Sequence, residues 1–432
     1  MTELLDASKW THCKLEDVCR LVNGRAYKRP ELLEKGKYRV LRVGNLFTNN
    51  SWFWSDLELE EDKYIDDGDL IYAWSASFGP RIWRGDKVIY HYHIWKCLPD
   101  PTLIDKHFLY RLFEWDVAKI KADHGTGSTM IHVTKGDMEA RPISIPPLPE
   151  QRRIVAKLDR LSARSAAARD HLARTTKLAT RAKRAILDAI FDESARSSWQ
   201  DAALGSVVSD SLVGLVRSKV QQSDQGTPYI RMNHYDYAGA WNSENLTCVT
   251  TTDAELERYE LHAGDVLFNT RNSVELVGKV GLWPAERPGH VYNNNLLRLR
   301  FVEGIDPKFA YLSMTSPVFR RYLATVTSAT TSVAAIYQKS LMKAPFRHPG
   351  IEQQQVIVRR IESAFARIDR MTEEASRATH LLDRLDERLL AKAFRGELVP
   401  QDPDDEPAEA LLSRIREARA GASTGRRRPR AI

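Results

Sequence analysis

Apolar residues return every three or four positions along two long stretches of the chain. In the first, Ile154, Leu158, Leu161, Ser165, Ala168, Leu172, Thr175, Ala179, Ala182 and Ile186 step by alternating fours and threes. In the second, Ile357, Ile361, Ala364, Ile368, Met371, Ala375, Ala378, Leu382, Leu385 and Leu389 repeat those steps. An average spacing of 3.5 keeps one stripe turned toward a partner helix, so both stretches read as coiled-coil seams. Neither contains Gly or Pro, and prolines precede each, which predicts two uninterrupted helices. About 42 residues at 1.5 Å rise make a rod of roughly 60 Å. The economical arrangement is for the two rods to pair antiparallel, the small residues of the first seam admitting a close neighbour. Each helix covering only its own domain is the alternative.

The two stretches are also copies. Shifting the chain by 203 positions lays Ile154-Val155 on Ile357-Val358, Gln151 on Gln354, Arg164 on Arg367, Leu187 on Leu390 and Phe191 on Phe394, without a gap. That period is too long for a solenoid and marks a duplicated half-molecule. Fainter echoes precede each copy. Gly68-Asp69-Leu70-Ile71-Tyr72 matches Gly264-Asp265-Val266-Leu267-Phe268, and Leu41-Arg42-Val43 matches Ile230-Arg231-Met232. Asp105 to Phe108 matches Asp306 to Phe309, and Ser128 to Met138 tracks Ser332 to Met342. Short β-rich runs such as KVIYHYHIWKCL and HVYNNNLLRLRF alternate with helices, which predicts α+β globules. The expected layout is a globule over 1–147, a long helix over 148–192, a second globule over 193–348, a second helix over 349–395 and a tail over 396–432. One scaffold used twice with diverged surfaces suits two similar tasks on two different targets.

Composition narrows the tasks. With 432 residues, 43% hydrophobic and 28% charged, the chain is that of a globular protein of two to four domains. No apolar run approaches the roughly 20 residues of a membrane span, and MTELLDASKW lacks the layout of a secretory leader, so a cytoplasmic location is expected. Cys13, Cys19, Cys97 and Cys248 form no C-x-x-C pair, and no metal site is expected. His91-Tyr92-His93 reads as a strand with both imidazoles on one face, an ordinary polar surface rather than a metal centre. Net charge is +7, and the stretch from Glu150 to Phe191, with eleven Lys or Arg against four Asp or Glu, carries an equal excess. Such a run suits a polyanionic partner, and it also suits a solvated helix face.

No phosphate loop, nucleophile elbow, H-E-x-x-H or deaminase pattern is present, nor a glycine fingerprint for a dinucleotide, nor the Asn/Asp-Pro-Pro-aromatic signature of many adenine methyltransferases. The chain reads as a binder without catalytic residues. Two globules related by pseudo-twofold symmetry can place two reading surfaces on two half-sites of one duplex, as dimeric DNA readers do. A protein-binding scaffold with a coiled-coil spacer is the competing reading.

IPPLPEQRRIVAKLD, the repeated helix and the tail AFRGELVPQDPDDEPAEALLSRI resemble the specificity subunit of type I restriction–modification enzymes, in order along the whole chain. GDVLFNTRNSVELVGK is similar to the second-domain pattern of that family, whereas Pro349-Gly350-Ile351-Glu352 departs from the P-P-L-x-E-Q of the first copy. The resemblance implies a non-enzymatic subunit that reads a split, asymmetric target in double-stranded DNA, one half per domain, with the helices as ruler. It also implies two methyltransferase subunits as partners, joined by two motor-nuclease subunits for restriction. S-adenosylmethionine and ATP would be used by those partners, and no cofactor is expected on this chain.

The residues expected at DNA are polar loop positions after equivalent anchors. Asn269, Arg271 and Asn272 follow the second Gly-Asp strand, where Asn suits adenine and Arg guanine edges. Trp74, Ser75 and Ser77 occupy the matching first-domain loop, and Trp74 is the one tryptophan expected to stack on an extruded base. Arg25 and Lys28 after Gly24, and Arg217 and Lys219 after Gly214, are placed to grip phosphates. Thr126, Ser128 and Thr129, with Thr330, Thr331 and Ser332, offer hydroxyls or main-chain N–H groups. The arginine-rich run 426–430 adds nonspecific attraction.

Overall fold

A computed structural model describes residues 10–47, 50–75, 78–124, 133–192, 198–236, 239, 241–242, 246–284, 289–330 and 333–424. The chain divides into two compact units: residues 1–171 with 378–432, and residues 172–377.

In the first unit, Thr11–Lys14 pairs antiparallel with Pro142–Ile145. One four-stranded sheet runs Cys19–Asn23, Ile94–Pro99, Leu70–Ala73, Gly79–Ile82 in spatial order. A second runs Phe53–Ser55, Tyr38–Leu41, Val88–Tyr90, Tyr64–Ile65, its two central strands parallel. Leu70–Ala73 is buried along its whole length because successive side chains enter two different cores. Leu70 and Tyr72 pack toward Phe108, Leu109 and the long helices, whereas Ile71 and Ala73 pack with Leu41, Val88 and Tyr90.

The second unit repeats this plan. Gln200–Ala203 pairs with Pro345–His348. Val208–Val213, Leu296–Phe301, Val266–Asn269 and Val280–Leu282 make the first sheet, and Thr227–Ile230 lies parallel to Val291–Tyr292 in the second. A three-stranded addition joins Arg271–Asn272, Ala334–Ala335 and Ser328–Ala329.

The Gly-Asp echo has a turn as its cause. Gly68 and Gly264 sit at φ +84° and +88°, where a side chain would be strained. Asp69 accepts from the Asp66 N–H at 2.8 Å and pairs with Lys96 at 2.7 Å. Asp265 accepts from the His262 N–H at 2.9 Å and pairs with Arg300 at 2.6 Å.

The long helices span Leu148–Phe191 and Ile351–Ala393. Each starts on a fully buried glutamine. Gln151 Nε2 donates to the carbonyls of Leu103 (3.0 Å) and Pro146 (2.9 Å), and its Oε1 accepts from the Asp105 N–H at 2.7 Å. Gln354 makes the same three bonds, to Gly304 (2.9 Å), Pro349 (2.8 Å) and the Asp306 N–H (2.9 Å). The repeated helix start is therefore a structural clamp.

Within the first unit the two helices run antiparallel. Ser165 Oγ donates to Asp386 at 2.8 Å and Arg169 pairs with Asp383 at 2.8 Å. Within the second unit they do so again, Lys183 pairing with Asp369 at 2.5 Å. The first seam lies as the spacing predicts, every named position buried or half-buried. The second departs at two places. Met371 is 57% and Leu385 46% exposed. The neighbouring Thr372 and Asp386 turn inward instead, Asp386 drawn there by the Ser165 hydroxyl and Arg169.

The tail completes the first unit. Phe394 packs on Phe108 (centroids 5.4 Å) and stacks on Trp115 (5.2 Å). Leu398, Val399, Ala408 and Leu412 are buried in that core. Lys157 Nζ donates to the Leu398 carbonyl at 2.8 Å, and Arg153 pairs with Asp405 at 2.6 Å. The basic run 426–430 lies outside the described residues.

Replacing Gln151 by Leu strands the Asp105 N–H and two buried carbonyls, so it should cost the unit about 3 kcal/mol. Exposed Gln353 makes the control. Urea unfolding should show Gln151→Leu well below and Gln353→Leu level with the parent; equal losses would mean the clamp holds nothing.

Candidate nucleic-acid interface

One polar turn gathers the loops of each unit. In the first, His91 to His93 joins the strands Val88–Tyr90 and Ile94–Pro99, so this segment is a turn and not the strand its alternation suggests. A Cβ on Gly24 would lie 2.5 Å from the Tyr90 carbonyl oxygen, so only glycine admits this approach. The Arg25 N–H donates to Tyr90 (3.0 Å) and the Tyr92 N–H to Arg25 (3.1 Å). The His91 N–H reaches the Leu41 carbonyl (2.9 Å), and the Trp74 N–H reaches that of His93 (3.1 Å).

In the second unit the turn is Asn293 to Asn295, and the same bonds recur. Leu215 N–H donates to Tyr292 (2.8 Å), Asn294 N–H to Leu215 (3.1 Å), Asn293 N–H to Ile230 (2.9 Å) and Thr270 N–H to Asn295 (2.8 Å). Gly214 meets its turn as Gly24 does, with a Cβ 2.5 Å from the Asn293 oxygen. The two faces share a main-chain frame and differ in the side chains it presents.

Residues 7–172 match the family model described as the type I restriction modification DNA specificity domain. Along 98% of its length the chain is 26% identical to the type I restriction enzyme EcoKI specificity subunit of Escherichia coli K12, covering 97% of that protein. It is 24% identical to the StySPI specificity subunit of Salmonella potsdam, over 97% of this chain and 98% of that one. Along almost its whole length the chain is similar to type I restriction–modification specificity subunits. Its fold matches the HsdS subunit of Thermoanaerobacter tengcongensis at TM-score 0.53, with 20% identity over 90% of this chain and 97% of that one. A chain from a study of complex assembly and conformational transition in the type I R-M system matches at TM-score 0.69, with 20% identity over 90% and 98%.

On this chain the expected site residues fall into three groups. Ser77, Thr126, Ser128, Thr129, Thr331 and Ser332 lie outside the described residues. A second group is committed to holding the fold. Asn269 is fully buried, its amide donating to the carbonyls of Arg271 (3.0 Å) and Asn295 (3.1 Å) and accepting from Asn272 (2.9 Å). Arg217, its side chain 14% exposed, braces Glu255 at 2.6 Å, and Ser75 is buried. Trp74 donates from Nε1 to the Tyr92 carbonyl (2.9 Å) and stacks on Trp95 (5.8 Å), so its indole packs as part of the wall. Arg25 is paired with Glu31 at 2.7 Å and sits over Tyr27. The third group is exposed: Lys28, Lys219, Arg271 and Thr330. The small sheet brings Arg271 and Asn272 beside the Ser328–Ala329 strand through Ala334-Ala335, uniting two loops that are far apart in sequence.

The sequence reading missed the turns themselves, together with Arg42 and Arg231 beside them. The signal lay in KVIYHYHIWKCL and HVYNNNLLRLRF, whose HYH and NNN triplets occupy one structural position.

Burial, with His93 and Arg42 nearby, pushes the His91 imidazole down to about 4. Because the unfolded imidazole takes its proton at a higher pH, near its ordinary 6.5, this group's stabilising effect is present above that value. It is lost as pH falls from 6.5 toward 4. An NMR titration should place the His91 midpoint near 4, and a midpoint near 6.5 would contradict the packed turn.

Proposed function

We propose that this specificity subunit reads a bipartite, asymmetric target in double-stranded DNA. One half falls to the domain of residues 1–147 and the other to that of 193–348. The observation that carries the reading is the pair of identical turn frames bearing His-Tyr-His in one unit and Asn-Asn-Asn in the other. Donor and acceptor side chains on such a face suit base edges in a major groove. The comparison proteins are named as specificity subunits of restriction enzymes, which favours DNA reading over a passive scaffold. The helices of 148–192 and 349–395 act as the ruler between the half-sites.

Methyl transfer and cleavage belong to partner subunits: two methyltransferases, with two motor-nucleases for restriction. The methyltransferases dock on helix faces that the unit interiors leave open. Leu178 and Leu381 occupy equivalent positions of the repeat and are 60% and 58% exposed, unusual for leucine on a charged helix. Among the described residues no helix is long and apolar enough to cross a membrane.

Exchanging residues 1–147 for another recognition domain should change only one half of the sequence methylated by the assembled complex. Methylation mapping reads this directly, and a change in both halves would sink the two-reader model. Leu178→Asp and Leu381→Asp should each cut co-purification with the methyltransferase subunit about tenfold while thermal unfolding stays as in the parent. Undiminished co-purification would move the docking face elsewhere.

A further inference from the structure

Two arginines that hold matching places beside the turns have no acidic partner among the described residues. Arg42 directly follows Leu41, whose carbonyl accepts from the His91 N–H, and Arg231 directly follows Ile230, whose carbonyl accepts from the Asn293 N–H. Both are half-buried. The Nε of each is shut away from solvent without a hydrogen-bond partner among the described residues. Arg42 lies over the Phe53 ring at 4.3 Å, and Arg231 reaches Gln222 at 3.4 Å, a long bond. Neither makes an ion pair among the described residues. Their neighbours do: Arg25 with Glu31, Arg39 with Asp86, Arg217 with Glu255 and Arg300 with Asp265, all at 2.6 to 2.8 Å. An arginine carries five donors in a rigid fork, and holding one half-buried without an anion is costly unless an anion arrives.

The repeat indicates which anion. If the two domains read unlike half-sites, a residue kept at one place in both must meet a feature that both half-sites share. In DNA that feature is the phosphate, while bases vary. Side chains that differ at one place, His91-Tyr92-His93 against Asn293-Asn294-Asn295, suit the part that varies.

We propose that Arg42 and Arg231 are a repeated pair of phosphate anchors, each setting the register of its domain, and that the adjoining turn carries the base-reading side chains. This rests on the DNA-reading function proposed above. The guanidinium fork takes two phosphate oxygens, and the turn beside it is then held at a fixed distance from the base edges.

The test uses the complex assembled with its methyltransferase subunits and a duplex carrying the site found by methylation mapping. Arg42→Gln and Arg231→Gln should each weaken binding about tenfold near 0.1 M salt. The fall of log affinity with log salt should be shallower by about one in each, and the methylated sequence unchanged. Arg42→Lys and Arg231→Lys, which keep the charge, should restore the slope; a merely structural arginine would not give that split. Asn294→Ala should do the reverse, altering the methylated sequence in one half with the salt slope intact. An unchanged slope in both glutamine variants, or a changed sequence in either, overturns the anchor assignment, and an unaltered sequence in Asn294→Ala overturns the reader assignment. A parent complex with no salt slope would instead remove the DNA-reading function itself. Thermal unfolding accompanies each variant, and should one glutamine variant unfold early, the other and the lysine pair decide.

Discussion

A glutamine amide, fully buried at the start of each long helix, fixes how that helix leaves its globule. Gln151 and Gln354 each satisfy two carbonyls and one N–H in places water cannot reach. The N–H belongs to Asp105 or Asp306, whose carboxylate in turn caps the next helix by accepting from Phe108 or Phe309. One side chain thus ties the long helix to the helix that roofs the sheet. With rotation about the helix axis fixed, Ile154 and Leu158 point into one core, Ile357 and Ile361 into the other. The later seam positions then follow at 3.5-residue steps, with Met371 and Leu385 as the departures. A slip of one residue would turn Gln151 to solvent and strand its partners, so the clamp and the seam enforce one register.

The long helices were the most legible part of the sequence, because a period sustained over many turns averages out single exceptions. The exceptions themselves were not legible. Leu385 outranks Asp386 on any apolar scale, and only the hydroxyl of Ser165 with the guanidinium of Arg169 explains the exchange. The Gln-bearing helix start was visible as a repeat, while its role was not, since one of the two carbonyls it serves, and the N–H, lie 46 to 50 residues away. The site was less legible still. Asn269 and Arg217 carry the side chains of base and phosphate readers, yet burial and neighbouring polar groups commit them to the frame. Polarity in a loop does not say which way a side chain faces. In His91 to His93, alternation that suits a strand is broken by a turn that Gly24 alone makes possible.

The two units are not equivalent where the chain continues past its second helix. In the first unit Arg153 and Lys157 hold the segment of Leu398 and Asp405, and Leu398, Val399 and Leu412 fill the core beside them. The repeat places Val356 and Arg360 at the corresponding positions of the second unit. There Val356, Arg359, Arg360, Ser363 and Arg367 form an exposed stripe on one helix face. With Val356 where the first copy has Arg153, the second helix lacks the partner that Asp405 takes in the first unit, and the sequence after Phe191 does not repeat the segment from Leu398 to Asp405. Duplication supplied the scaffold, and the extension at one end is accommodated by changed side chains at one end only.

Side chains at the turns can diverge because the bonds that fasten each turn to its sheets run through the main chain. Tyr92 and Asn294 donate from N–H to a carbonyl whose residue is Arg25 in one unit and Leu215 in the other, and the bond length is the same, 3.1 Å. A peptide group is blind to the side chain it bears, so replacing histidine by asparagine leaves the frame standing. The glycine opposite each turn is the one position this tolerance excludes, since any Cβ there would strike the carbonyls that fasten it. A scaffold that fixes backbone through backbone, and admits only glycine at the point of closest approach, lets the turn side chains vary while the fold stands. Under the proposed reading, that tolerance lets one duplicated half meet two unlike targets without refolding either domain.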